Sequence, residues 1–160
     1  MADTRALVVY FSRTGKVRRV AQAIAEELGA DGEEIVDTRN RRGPLGLLSA
    51  ARDAVLRRTA RIEEPVHDPA AYDLVVIGTP VWGWSPSAPV RGYLARVRGR
   101  LPDVAFFAVA RGQGAGRAVR VMASLAGKEP RASLPLVRLY GVRRATLERA
   151  CRFARGLRGE

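Results

Sequence analysis

Three short stretches of this chain hold residue types that could do chemistry. The first, Ser12-Arg13-Thr14-Gly15-Lys16-Val17, combines two hydroxyls, a glycine and two cations. The second, Thr79-Pro80-Val81-Trp82-Gly83-Trp84-Ser85, contains both tryptophans of the chain. The third, Arg111-Gly112-Gln113-Gly114-Ala115-Gly116, is glycine-rich and opens on a cation. A hydroxyl- and glycine-bearing loop ahead of a helix presents unpaired backbone N–H groups and the positive end of the helix dipole. Both favour an anion, most often a phosphate. Phosphate-type donors, flat aromatic surfaces and a flexible glycine loop together suit a flat aromatic ligand with a phosphate tail.

These loops need elements to hold them. Residues 6–11 form an apolar run continuous enough for a strand buried on both faces. Val17, Val20, Ala21, Ile24, Ala25 and Leu28 then recur at the spacing of one helix face, and Gly29 stops that helix. A short polar strand is expected over 33–37. Leu45, Leu48, Ala51, Ala54 and Val55 suggest a modest basic helix ending near Arg57-Arg58, and 65–69 reads as a loop. Further strands are expected over 74–78, 104–110 and 134–140, with helices over 88–97, 115–126 and 143–157. Pro135 assigns the last strand to a sheet edge, where a missing donor is tolerated. Five strands alternating with helices imply one α/β domain over 1–160, a parallel, doubly wound sheet with right-handed crossovers. In such sheets ligands bind beyond the carboxyl ends of the strands, where the strand order reverses. All three loops leave apolar strands at that edge.

Composition narrows the class. With 160 residues and 47% hydrophobic content, the chain is large enough for a core and too apolar for disorder. No apolar stretch reaches the roughly 18 residues of a membrane span, and the N-terminus lacks a signal-peptide layout. The single cysteine, Cys151, excludes an intrachain disulfide and suits a reducing cytoplasm. It shares a helix face with Leu147, Ala150, Ala154 and Leu157, which suggests a buried structural thiol. The formal net charge is +12, and 26 of the 28 basic residues are arginine. Residues 101–160 carry 12 basic and 4 acidic groups, so the excess is greatest there. Such a surface attracts nucleic acid, anionic membrane or an acidic protein non-specifically; an arginine-rich composition with solvated helix faces explains it equally well.

Other chemistries fit poorly. His67 is the only histidine and has no cysteine or histidine partner nearby in sequence, which argues against a metal site or a serine-type triad. Asp37 sits where a ribose-binding acid would in a dinucleotide fold, but Gly15 is the only glycine in the first loop. The glycines at 112–116 lack the Lys-Ser/Thr ending of an ATP-binding phosphate loop.

The sequence resembles the flavodoxin family over almost its whole length, particularly its short members. The resemblance rests on Val9-Tyr10-Phe11-Ser12-Arg13-Thr14-Gly15 and on Tyr72 through Trp82, and it leads one to expect the glycine loop after the fourth strand. It implies a three-layer α/β/α sandwich with a five-stranded parallel sheet in the order 2-1-3-4-5. It also implies non-covalent FMN: Ser12, Thr14 and the backbone of residues 13–17 would wrap the phosphate. Thr79, Pro80, Val81, Trp82, Gly83 and Trp84 would flank one side of the isoalloxazine, and residues 110–116, including Arg111, Gly112, Gln113 and Gly114, the other. Gly83 would supply a peptide able to flip towards the reduced ring, a motion that glycine alone makes cheap.

Two departures from the family pattern matter. Val17 stands where a threonine is common, and one lost hydrogen bond to a charged group costs roughly 1.5–3 kcal/mol. Lys16, Arg13, Arg18 and Arg19 would recover part of this through charge. Arg111 places a cation where low-potential flavodoxins keep negative charge. At about 8 Å from N1 and an effective dielectric near 20, its attraction for an anionic reduced ring is roughly 2 kcal/mol, which raises the second reduction by roughly 90 mV. In solvent, screening removes most of that effect.

Two functional classes follow. In the first, FMN carries electrons, either as a shuttle that meets an acidic redox partner or as an NAD(P)H-linked reductase. The short chain and the lack of a clear nicotinamide pocket favour the shuttle. In the second, a flavin-free scaffold uses its basic surface, notably Arg143, Arg144, Arg149, Arg152 and Arg155, to bind an acidic protein, nucleic acid or anionic membrane.

Overall fold

Alternation along the apolar runs decides the layers. The computed structural model describes residues 4–38, 61–138 and 141–159. In it, β1 (Ala6–Tyr10) is central and wholly buried. Leu7 and Val9 face one core, while Ala6, Val8 and Tyr10 face the other. This is the period-2 geometry of a strand covered on both sides. β3 (Leu74–Trp82) and β5 (Asp103–Ala110) repeat the pattern.

Helices α1 (Lys16–Leu28) and α4 (Arg144–Leu157) cover one face of the sheet. Their Val17, Val20, Ile24, Ala150 and Ala154 pack with Val8, Val76 and Phe107. Helices α2 (Ala88–Val97) and α3 (Ala115–Ala126) cover the other, where Val90, Leu94, Ala118 and Met122 meet Val9, Ile77 and Phe106. α1 ends at Gly29, whose φ of +61° lets its N–H reach the carbonyls of Ala25 and Glu26.

The five parallel strands lie in the order β2-β1-β3-β5-β6, with β2 (Asp31–Glu34) and β6 (Ser133–Val137) at the edges. Numbered among themselves, these strands give the expected 2-1-3-4-5 order. Pro135 is on an edge, as its missing N–H requires. A sixth strand was not foreseen: β4 (Ser85–Pro86) folds back antiparallel on the end of β3, pairing Val81 with Pro86 and Trp82 with Ser85.

Boundaries moved at β2 and β3. β2 pairs through Asp31 to Glu34, opposite Leu7 to Tyr10, instead of through residues 33–37. An edge strand is held by backbone register, so the apolar Ile35 and Val36 did not set its limits; Asp37 instead makes an isolated antiparallel bridge with Ile62. β3 continues four residues beyond Gly78, because Thr79 and Pro80 still pair with Ala108 and Val109 of β5. Gly78 is obligatory there: a methyl group on it would overlap the Phe107 ring. The helix expected around residues 45–58 lies outside the described residues, as do residues 139 and 140 of the last expected strand.

Candidate functional site

The loops leaving β1 and β3, the residue following β5 and the residue following β6 converge on a cleft of about 270 Å³. Its lining includes Ser12, Arg13, Thr14, Lys16, Val17, Pro80, Val81, Trp82, Gly83 and Arg111 of the expected set. Val109 and Arg138 complete it.

The first loop is organised by its own serine. Gly15 adopts φ +91° at the start of α1. Ser12, 7% exposed, accepts hydrogen bonds at Oγ from the backbone N–H groups of Gly15 (3.0 Å) and Arg18 (3.2 Å). Both lone pairs of the hydroxyl are thereby used, which leaves its proton to donate outward. The N–H groups of Lys16 and Val17 begin the helix and have no intrahelical carbonyl to reach. The first turn contains no acid but does contain Lys16 and Arg18, an arrangement that opposes the helix dipole unless an anion compensates. Arg18 is engaged by Glu34, Nη2 to Oε1 at 2.6 Å, and Arg19 Nη1 donates to the carbonyl of Val142 at 3.2 Å.

Val17 is 3% exposed and belongs to the core against β1, so at this position only the backbone N–H can serve a ligand. The Phe11 and Trp82 rings meet edge to face, centroids 5.7 Å apart and planes at 89°, which fixes Trp82 at the cleft wall.

Four cations line the cleft, Arg13, Lys16, Arg111 and Arg138, and no carboxylate does among the described residues. Burial pulls the Arg138 guanidinium below its usual value, and the charges of Arg111 and Arg13 add to the effect. Arg111 is exposed yet lines the cleft, between the two situations its sequence position allowed.

Six expected residues are not in the lining. Thr79 is fully buried: its Oγ1 accepts from the Ser87 N–H at 2.9 Å and donates to the Pro80 carbonyl at 2.7 Å. It anchors the start of α2 because β3 runs on through it. Trp84, 52% exposed, occupies the second position of the two-residue turn joining β3 to β4, where φ is +66° after +56° at Gly83. Positive φ at both positions is the hairpin geometry that follows strand twist. Gly114 starts α3 at φ +97°, and a side chain there would meet the Trp84 Cα at 3.0 Å. Gly112, Gln113 and Gly15 shape their loops from outside the cleft.

Arg138 was missed. It follows β6 directly, its N–H bonded to the Ala110 carbonyl at 2.9 Å. The rule that pointed to the other strand ends would have found it, had the last strand not been extended to residue 140.

Elsewhere, Cys151 is half-buried, more accessible than its helix face suggested. His67 Nδ1 lies 3.5 Å from Glu33, and no metal-binding group of three or more ligands exists among the described residues. Among the described residues no helix is long and apolar enough to cross a membrane. A larger, more open groove of about 610 Å³ follows the C-terminal half of α3 towards Ser133, away from all three loops.

No protein-family model matches this chain, and no curated protein matches it. Solved structures do. A flavoprotein from Lactobacillus acidophilus NCFM, crystallised in complex with FMN, superposes with a TM-score of 0.73 at 22% identity, covering 82% of this chain and 93% of that one. A putative flavoprotein from Bacteroides uniformis gives a TM-score of 0.73 at 21% identity over 91% and 96% of the two chains. A WrbA-like flavodoxin from Agrobacterium tumefaciens gives 0.63 at 16% identity over 94% and 92%. At these identities the likeness is one of architecture: the chain has the flavodoxin-like fold.

Proposed function

We propose that this chain binds FMN non-covalently and serves in electron transfer, exchanging electrons with an acidic redox protein. The cleft carries the reading. It combines an anion-ready helix start, an indole wall and four cations without a carboxylate among the described residues. The FMN complex of the Lactobacillus acidophilus flavoprotein, which shares the fold, supports the choice of ligand.

The residues present fit the group. The Ser12 hydroxyl and the N–H groups of Lys16 and Val17 would donate to the phosphate, with the Arg13 and Lys16 charges beside it. Pro80, Val81, Trp82 and Gly83 would offer the ring an apolar wall that excludes water. Gly83 already holds a positive φ and, lacking Cβ, can reorient its peptide at little cost. Bound FMN supplies one- or two-electron chemistry that side chains lack, while the protein contributes binding, orientation and field. The net charge of +12 complements an acidic partner and speeds encounter more than it adds affinity.

The visible spectrum of the purified protein, before and after adding FMN, tests this reading. A flavin spectrum and stoichiometric binding are expected, with riboflavin bound at least about tenfold more weakly for want of charge-assisted hydrogen bonds to phosphate. A colourless protein that ignores FMN would sink it. Electron exchange with an acidic ferredoxin or cytochrome, suppressed by salt, tests the partner.

A further inference from the structure

The cations of the cleft form two pairs with different origins. Arg13 and Lys16 come from the loop at the start of α1, together with the Ser12 hydroxyl and the free N–H groups. Arg111 and Arg138 come from the neighbouring ends of β5 and β6, where Ala110 and Val137 are register partners and the Arg138 N–H is held by the Ala110 carbonyl at 2.9 Å. Strand neighbours lie about 4.8 Å apart, so the two arginines rise from adjacent points of one sheet edge.

This second pair exceeds what one phosphate requires. A phosphate monoester carries about −1.5 to −2 charges at neutral pH, which the first pair balances. Arg111 and Arg138 then face the same cleft with no acid among its described lining residues to balance them. Arg138 is half-buried, and both Arg111 and Arg13 act on its charge. Holding like charges together in a partly dry site is unfavourable unless an anion joins them. Guanidinium forks suit planar carboxylates and tetrahedral phosphates, which they can grip with paired hydrogen bonds.

We propose that Arg111 and Arg138 form a second anion subsite of the cleft, which takes the phosphate or carboxylate of a small organic redox co-substrate. The inference rests on the FMN reading for the occupant of the first subsite. It adds a charged small molecule to the protein partner with which electrons are exchanged.

Backbone-amide NMR, with inorganic phosphate and acetate as separate probes at constant ionic strength, reads the two subsites independently. In the flavin-free protein, phosphate should shift two sets of amides with separate saturation, one around Lys16 and Val17, the other around Arg111 and Arg138. Loading with FMN should abolish the phosphate response of the first set and leave the second. The double variant Arg111→Gln/Arg138→Gln should lose the second response, while phosphate still shifts the amides around Lys16 and Val17 in the flavin-free protein. Arg138→Lys, which keeps the charge, should restore part of it and so separate charge from damage to the fold. The tighter of the two probes identifies the anionic group as phosphate or carboxylate.

Loss of both sets of shifts on FMN loading would overturn the proposal. So would a tenfold loss of FMN affinity in the double variant with riboflavin affinity unchanged, since that result assigns both arginines to the phosphate of FMN. Two sets of phosphate shifts in a protein that ignores FMN would leave the second subsite standing and remove the flavin reading instead.

Discussion

The loops at the starts of α1 and α3 are built on the same backbone device and do different work. Each helix begins on a glycine in the left-handed region, Gly15 at φ +91° and Gly114 at φ +97°, whose carbonyl accepts the first intrahelical bond from Arg19 and Ala118 respectively. Each ends on another such glycine, Gly29 and Gly127. The difference is in what fills the turn. In the first loop the Ser12 hydroxyl gathers two N–H groups, and the rest of the turn is open to a ligand. In the second the backbone of Trp84 closes over Gly114, and of the residues 111–114 only Arg111 lines the cleft. A glycine-rich turn at a helix start is thus available to an anion only where nothing else in the fold occupies it.

Replacing the two glycines should break the symmetry most strongly. Gly15→Ala incurs the left-handed penalty of about 1–2 kcal/mol, since its nearest neighbour beyond the loop is the Arg18 side-chain tip at 3.6 Å. Gly114→Ala incurs the same penalty and also presses on the Trp84 backbone at 3.0 Å, for a total of about 3 kcal/mol. Urea denaturation of both variants compares them; equal losses would mean that the hairpin can withdraw from α3 freely.

Ser12→Ala should cost about 1–3 kcal/mol of stability, because the Gly15 and Arg18 N–H groups lose a buried acceptor. It should also weaken FMN binding about tenfold, while Gln113→Ala in the exposed second loop leaves both quantities within about 0.5 kcal/mol. A Ser12→Ala protein as stable as its parent would show that water replaces the serine.

A smaller change of opposite sign is expected at the contact between the hairpin and the second loop. Trp84→Gly relieves the positive φ of a non-glycine residue and should stabilise the protein by about 1 kcal/mol, since the side chain is half exposed. A destabilised variant would mean that the indole packs on the second loop more than its exposure suggests. Least of all, Arg111→Ala should leave the melting temperature nearly unchanged, because the side chain is exposed and forms no ion pair among the described residues. If FMN is bound as proposed, its second reduction potential should fall when this charge is lost; an unchanged potential would show that solvent screens Arg111 fully.

The central apolar strands and the faces of their helices were legible because burial on both sides leaves an unmistakable run, as in Val8-Val9 and Val75-Val76-Ile77. β2 was displaced because Asp31-Gly32-Glu33-Glu34 carries no apolar signal; the strand exists by pairing with β1. β4 is too short to leave a pattern, and its turn places a tryptophan where sequence preference expects glycine or asparagine. Thr79 looked like a site residue because it ends an apolar run, yet β3 continues through it and uses its hydroxyl to start α2.

Sequence alone determined the alternation of strands and helices, the edge position forced by Pro135, and the candidate anion loop at the start of α1. Each is a local property: hydrophobic period, a missing donor, a hydroxyl and glycine at a helix start. Tertiary structure decided which side chains share the cleft. It brought Arg138 in from the last strand, set Thr79 and Trp84 aside, and closed Trp84 over Gly114. Those outcomes depend on strand register and on the hairpin at the end of β3, where residues distant in sequence meet, and no local pattern encodes them.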